Sequence, residues 1–146
     1  MKYLWLLLLA VASGGLIALQ NVLNAELGKR TGNFGSVLLL SLISLVTLVV
    51  VLLVFPKTAD LKNAPGLSEW YLYVGGVMGV AIMVTPIFLL PRIGATATLT
   101  AVVVGQMVLA IVVDHFGIFG APINPVTPAK LFGVVLLIVG VFFASR

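Results

Sequence analysis

Four carboxamides interrupt the long apolar runs of this chain. Gln20, Asn21 and Asn24 lie within five residues of one another, and Gln106 stands in a separate apolar run. An amide both donates and accepts hydrogen bonds. In a lipid setting such a group is costly unless it faces a cavity, another helix or a polar solute. On a helix Ser13, Ile17, Gln20 and Asn24 fall on one face, with Gly14, Ala18, Asn21, Ala25 and Gly28 beside it. The pattern reads as a substrate path lined by Gln20, Asn21, Asn24 and Gln106. Hydrogen bonds between helices, worth about 0.6–2 kcal/mol each, are the alternative use of the same groups.

Glu26 is the one acid placed within an apolar run, which makes it a candidate proton- or cation-coupling residue. It also precedes Lys29 and Arg30 by three and four residues, the spacing of a helical ion pair. Asp114 and His115 are adjacent, so on a helix they diverge by about 100°. They read as a helix-end cap or an interfacial hydrogen-bonding pair, not as chelators. The chain has one His and no Cys. It has no phosphate-cradling loop of the Walker type and no acids at metal-ligand spacing. Thiol chemistry is excluded. No metal site or cofactor is expected, and an ATP-driven pump or membrane enzyme is disfavoured.

The elements that hold these residues are set by composition. Of 146 residues, 62% are hydrophobic and only 8% charged, against about 25% charged in soluble domains. Lipid is the solvent that such a surface needs. Spanning helices of roughly 20 residues are expected at 3–27, 34–55, 69–90, 93–113 and 128–144. This makes an all-α membrane protein, a single transmembrane domain over 1–146 with five spans. The first span opens like a signal peptide, with Lys2, an apolar run and small residues at Ala10 and Ala12, but is read here as a span. Pro56 stops the second span. Pro86 is expected to kink the third and Pro91 to end it. Pro128 suits a first helical turn. The apolar runs do not alternate, which argues against a β-barrel. Gly75 and Gly79, the series Ala97, Ala101 and Gly105, and the pair Gly133 and Gly140 suit close helix packing.

If every span crosses once, Tyr3, Trp5, Trp70, Tyr71 and Tyr73 gather on one membrane face, where aromatic rings prefer to lie. That face carries Lys2, Lys57, Lys62 and Lys130; the other carries Lys29, Arg30, Arg92 and Arg146. Four cations against four give the positive-inside rule nothing to act on. Insertion in either orientation follows. Two oppositely oriented copies would form a ten-helix pair with a two-fold axis in the membrane plane, the symmetry of inverted-repeat transporters. The loops offer no basic run for nucleic acid and suit anionic lipid headgroups.

Segment 15–28, GLIALQNVLNAELG, resembles the first helix of the YdcZ-like family of the drug/metabolite transporter superfamily. Gly94-Ala95, Gly105-Gln106 and the stretch 114–120, DHFGIFG, resemble its second signature, and the glycine-spotted helix from Leu131 to Val141 also matches. The DHFG-type stretch is the most specific part. The resemblance covers essentially the whole chain. It implies five-helix half-transporters of the bacterial inner membrane, working as antiparallel homodimers or with an oppositely oriented paralogue. Gln20, Asn24, Glu26, Gln106, Asp114 and His115 match signature positions. The second span departs from many members in offering only the hydroxyls of Ser41, Ser44 and Thr47. The resulting expectation is a secondary transporter of a small metabolite or drug-like solute. A non-transporting membrane subunit, or a channel or lipid scramblase, is the alternative.

Overall fold

The computed structural model describes residues 4–144 and 146 of the chain; Lys2 and Tyr3, and with them the first residue of the expected first span, lie outside the described residues. All regular structure among the described residues is helical. Helices α1 (Leu4–Thr31), α2 (Asn33–Val54), α3 (Val74–Phe116) and α4 (Pro128–Ala144) are joined by short 3-10 turns. Lipid offers no partner for backbone N–H and C=O groups, so apolar runs this long close their hydrogen bonds within the helix. The structure divides into two compact units, Met1–Phe88 and Leu89–Arg146.

In the first unit α1 and α2 form a hairpin whose only connecting residue is Gly32. Its φ of 76° and ψ of 159° belong to a region open essentially to glycine alone. Ser36 N–H closes the corner on Gly32 O at 3.0 Å, and Ser36 Oγ donates to Asn33 O at 2.8 Å. Near this corner Asn24, Ala25 and Gly28 of α1 and Ser36 and Val37 of α2 are buried. α1 has 28 residues, about 42 Å at 1.5 Å each. That exceeds the roughly 30 Å of hydrocarbon in a bilayer. The excess carries Lys29, Arg30 and Thr31 beyond the expected end of the span at 27. After α2, three 3-10 turns, Pro56–Thr58, Leu61–Asn63 and Leu67–Tyr73, lead to α3. Asn63 Nδ2 donates to Asp60 Oδ2 at 2.6 Å and Tyr73 Oη donates to Pro65 O at 2.6 Å.

α3 runs for 43 residues, about twice what one crossing needs. Helical dihedrals continue through Pro86 and Pro91, and the one departure is Gly94, with φ 80° and ψ 164°. The helix break expected at Pro91 therefore falls three residues later. A proline removes a donor and crowds the carbonyl four residues back but keeps φ near its helical value, whereas the positive φ at Gly94 favours a residue without a Cβ. The arms on either side of Gly94 are each about 20 residues long, enough for one span apiece.

In the second unit α3 ends at Phe116, and Gly117 follows at φ 61° and ψ 36°, a left-handed helix stop. Phe119 and Gly120 also have positive φ, 55° and 80°, so the link turns sharply back. α4 starts at Pro128. Thr127 Oγ1 accepts the Lys130 N–H at 3.3 Å, which caps the first turn.

Candidate functional site

Asn24 is the most enclosed of the four carboxamides. Only 4% of it is exposed, and its amide forms no hydrogen bond to another described residue. No side-chain polar atom among the described residues is both fully enclosed and unpaired. The remaining opening of Asn24 therefore lies at its amide tip, and the group is neither sealed in solid protein nor satisfied by it. One turn further along α1, a Cβ on Gly28 would overlap Ile87 Cγ2 and stand 3.5 Å from Ser36 Oγ and 3.8 Å from Asn33 Oδ1. Glycine at 28 is what lets Ile87, itself 2% exposed, close over α1. Asn24 thus stands at a corner where α1, α2 and the first arm of α3 converge.

Asn21 is half-buried and Gln20 is exposed. Neither makes a hydrogen bond within the described chain. α1 consequently presents its amides in a graded series, from open at Gln20 to enclosed at Asn24, along one side of the helix. In the second unit Gln106 is exposed and likewise has no hydrogen-bond partner among the described residues. The nearby hydroxyls behave differently. Thr98, fully buried, donates to Gly94 O at 2.7 Å, and Thr100 donates to Thr96 O at 2.6 Å. In unit one Thr47 and Thr85 donate to Ile43 O and Ala81 O, both at 2.8 Å. These hydroxyls are satisfied by their own helices, and the amides are not.

Glu26 is exposed in the last turn and a half of α1. Its carboxylate accepts from Lys29 Nζ at 2.9 Å and from Arg30 Nη2 at 3.5 Å. It faces its own helix's cations and not the Asn24 corner.

Asp114 and His115 occupy the last turn of α3 and hold the returning link from two directions. Asn124 N–H donates to Asp114 O at 2.8 Å, and Val126 N–H donates to His115 Nδ1 at 3.3 Å. Lys130 Nζ donates to Asn124 O at 2.9 Å and stands 4.0 Å from Asp114 Oδ2. Accepting at Nδ1 leaves the neutral imidazole proton on Nε2. The two side chains serve a helix-end clasp. Lys130 and Thr127 belong to it, and no sequence spacing singled them out. Gly117 completes it, because a Cβ there would meet Ile123 Cγ1 at 2.8 Å and Ala121 O at 3.3 Å.

Two concavities lie elsewhere. One, of about 620 Å³, is bordered in the first unit by Phe34 and by Gly76, Val80 and Val84 of α3. Another, of about 400 Å³, separates Leu99 and Val103 of α3 from Gly133, Leu137 and Gly140 of α4. Both are apolar and neither is lined by a carboxamide. Among the described residues no group of His, Asp or Glu could hold a metal ion.

The family model described as “Putative inner membrane exporter, YdcZ” matches residues 5–143. The chain is 23% identical over 137 residues to “Inner membrane protein YdcZ” of Escherichia coli (strain K12), covering 93% of this chain and 91% of that protein. No solved structure gives a significant match. The match takes in both the α1 amide series and the Asp114–His115 clasp, and the long apolar helices are those of a multi-pass inner-membrane protein. The chain belongs to the YdcZ family.

Proposed function

We propose that this protein is a secondary exporter of a small solute, working as a pair of oppositely oriented copies. The observation that carries the reading is the state of Gln20 and Gln106. Both are exposed on a single copy, within helices whose other outward residues are mostly apolar, and both lack hydrogen-bond partners among the described residues. Against acyl chains such amides are costly; beside a second copy and a water-filled path they are useful. The family's description as an exporter agrees. The five spans correspond to α1, α2, the two arms of α3 and α4, and the even division of cations lets each copy insert either way. Each unit then meets the solute through its own amides. Glu26, held between two cations, serves the membrane interface more readily than coupling.

The chain has no cysteine, so single introduced thiols are clean reporters. Purified chains bearing Gln20→Cys or Asn21→Cys are reconstituted in liposomes and treated with a membrane-impermeant maleimide. Labelling of both, with none at Leu19→Cys or Leu23→Cys, is expected of a hydrated path. Equal silence at all four positions would refute it and leave a non-transporting subunit. Disulfide-linked dimers from Gln20→Cys are the accompanying sign of pairing.

A further inference from the structure

We infer that the solute is uncharged and hydrogen-bonds at several points, recognised by carboxamides and not by a counter-ion. The inference rests on the transport reading above and names its substrate class. Every Asp, Glu, Lys, Arg and His among the described residues lies near a helix end, in a link or beside the Gly94 break. Glu26, Lys29 and Arg30 close α1; Lys57, Asp60, Lys62 and Glu69 sit between α2 and α3; Arg92 precedes Gly94 by two residues. Asp114 and His115 end α3, Lys130 starts α4 and Arg146 follows it. The stretches 4–25, 33–54, 74–91, 93–113 and 131–144 contain no ionisable side chain.

Charge is therefore missing where a solute would cross. A cation in the low-dielectric interior needs a nearby carboxylate, and an anion needs Lys or Arg. Of the acids at the span ends, Glu26 is engaged by Lys29 and Arg30, and Asp114 stands 4.0 Å from Lys130. What the spans offer instead is amides without hydrogen-bond partners among the described residues: Gln20, Asn21 and Asn24 in one unit and Gln106 in the other. Each presents two N–H donors and a carbonyl acceptor with no partner in the described chain. Thr47, Thr85, Thr98 and Thr100 have already given their protons to backbone carbonyls. Balanced donors and acceptors without net charge complement a neutral solute such as an amide, a polyol or a nucleoside. A wall built this way accepts a loss of hydration that it can replace bond for bond, and rejects an ion whose hydration it cannot replace.

The test is uptake by proteoliposomes from a defined equimolar mixture, read by mass spectrometry against protein-free liposomes. The neutral members are acetamide, ribitol and uridine; the ions are tetraethylammonium, methyl viologen and glutarate. Protein-dependent uptake confined to neutral members is expected, falling about tenfold in Asn24→Leu, as one lost hydrogen bond would give. Asn24→Asp should lower neutral uptake and admit a cation. If Asn24→Asp fails to fold, Gln20→Glu on the exposed side carries the same test. Uptake of an ion by the unaltered chain overturns the substrate class and leaves the transport reading standing. No protein-dependent uptake of any member overturns the transport reading itself.

Discussion

At the scale of single residues, Asn24 and Gly28 stand one turn apart on the same helix and should answer mutation in opposite ways. Asn24→Leu removes an unpaired amide and keeps the side-chain size. Stability in detergent should change by no more than about 1 kcal/mol, while solute uptake falls sharply. A thermal melt followed by an uptake assay separates the two readouts; a large loss of stability would mean that Asn24 is a packing residue. Gly28→Ala, in contrast, puts a methyl into space that Ile87 occupies. A destabilisation of about 1–3 kcal/mol is expected, with Ile87→Ala in the same chain restoring part of it. The amides were legible in the sequence because three in five residues stand out against leucine and valine. The enclosure of Asn24 was not, because burial at this corner depends on residues brought from other helices, such as Ser36 and Ile87 against Gly28 one turn along. Glu26 gave two readings from spacing alone, and the distances to Lys29 and Arg30 favour the ion pair.

At the scale of elements, two glycines define where helices stop. No atom outside its own backbone lies within 4 Å of a Cβ built on Gly94, so Gly94→Ala suffers no collision. Its cost is purely conformational, about 1–3 kcal/mol, unless the break relaxes into continuous helix. Circular dichroism distinguishes the outcomes, since relaxation would raise helicity without loss of stability. The clasp after α3 makes a second prediction. His115→Asn keeps an acceptor near the Nδ1 position and should preserve the protease resistance of the 117–127 link. His115→Phe leaves Val126 N–H without that acceptor and should speed cleavage there severalfold. Helix existence was readable from apolar run lengths alone, including the helix at Pro128–Ala144. The break at Gly94 was not, since proline at 91 is the louder local signal. Nor was the clasp, in which Asp114 and His115 reach Asn124, Val126 and Lys130 across ten, eleven and sixteen residues and obey no helical period.

At the scale of the whole molecule, the four-against-four division of basic residues that the proposed five-span topology gives is the property to perturb. Adding two arginines after Val54 should drive insertion toward one orientation, read with a C-terminal reporter active on one side of the membrane only. For an antiparallel homodimer, transport should fall in that variant and recover when a copy biased the other way is co-expressed. Full activity from a uniformly oriented population would disprove the pairing.

The one-residue corner at Gly32 carries a consequence for biogenesis. With no slack between α1 and α2, neither helix can partition into the bilayer ahead of the other and wait. They must leave the translocon together, and whichever way the first commits, the second is committed too. Under the proposed pairing, the choice between the two orientations would then be made once, early in synthesis, before the ribosome has finished the remaining helices.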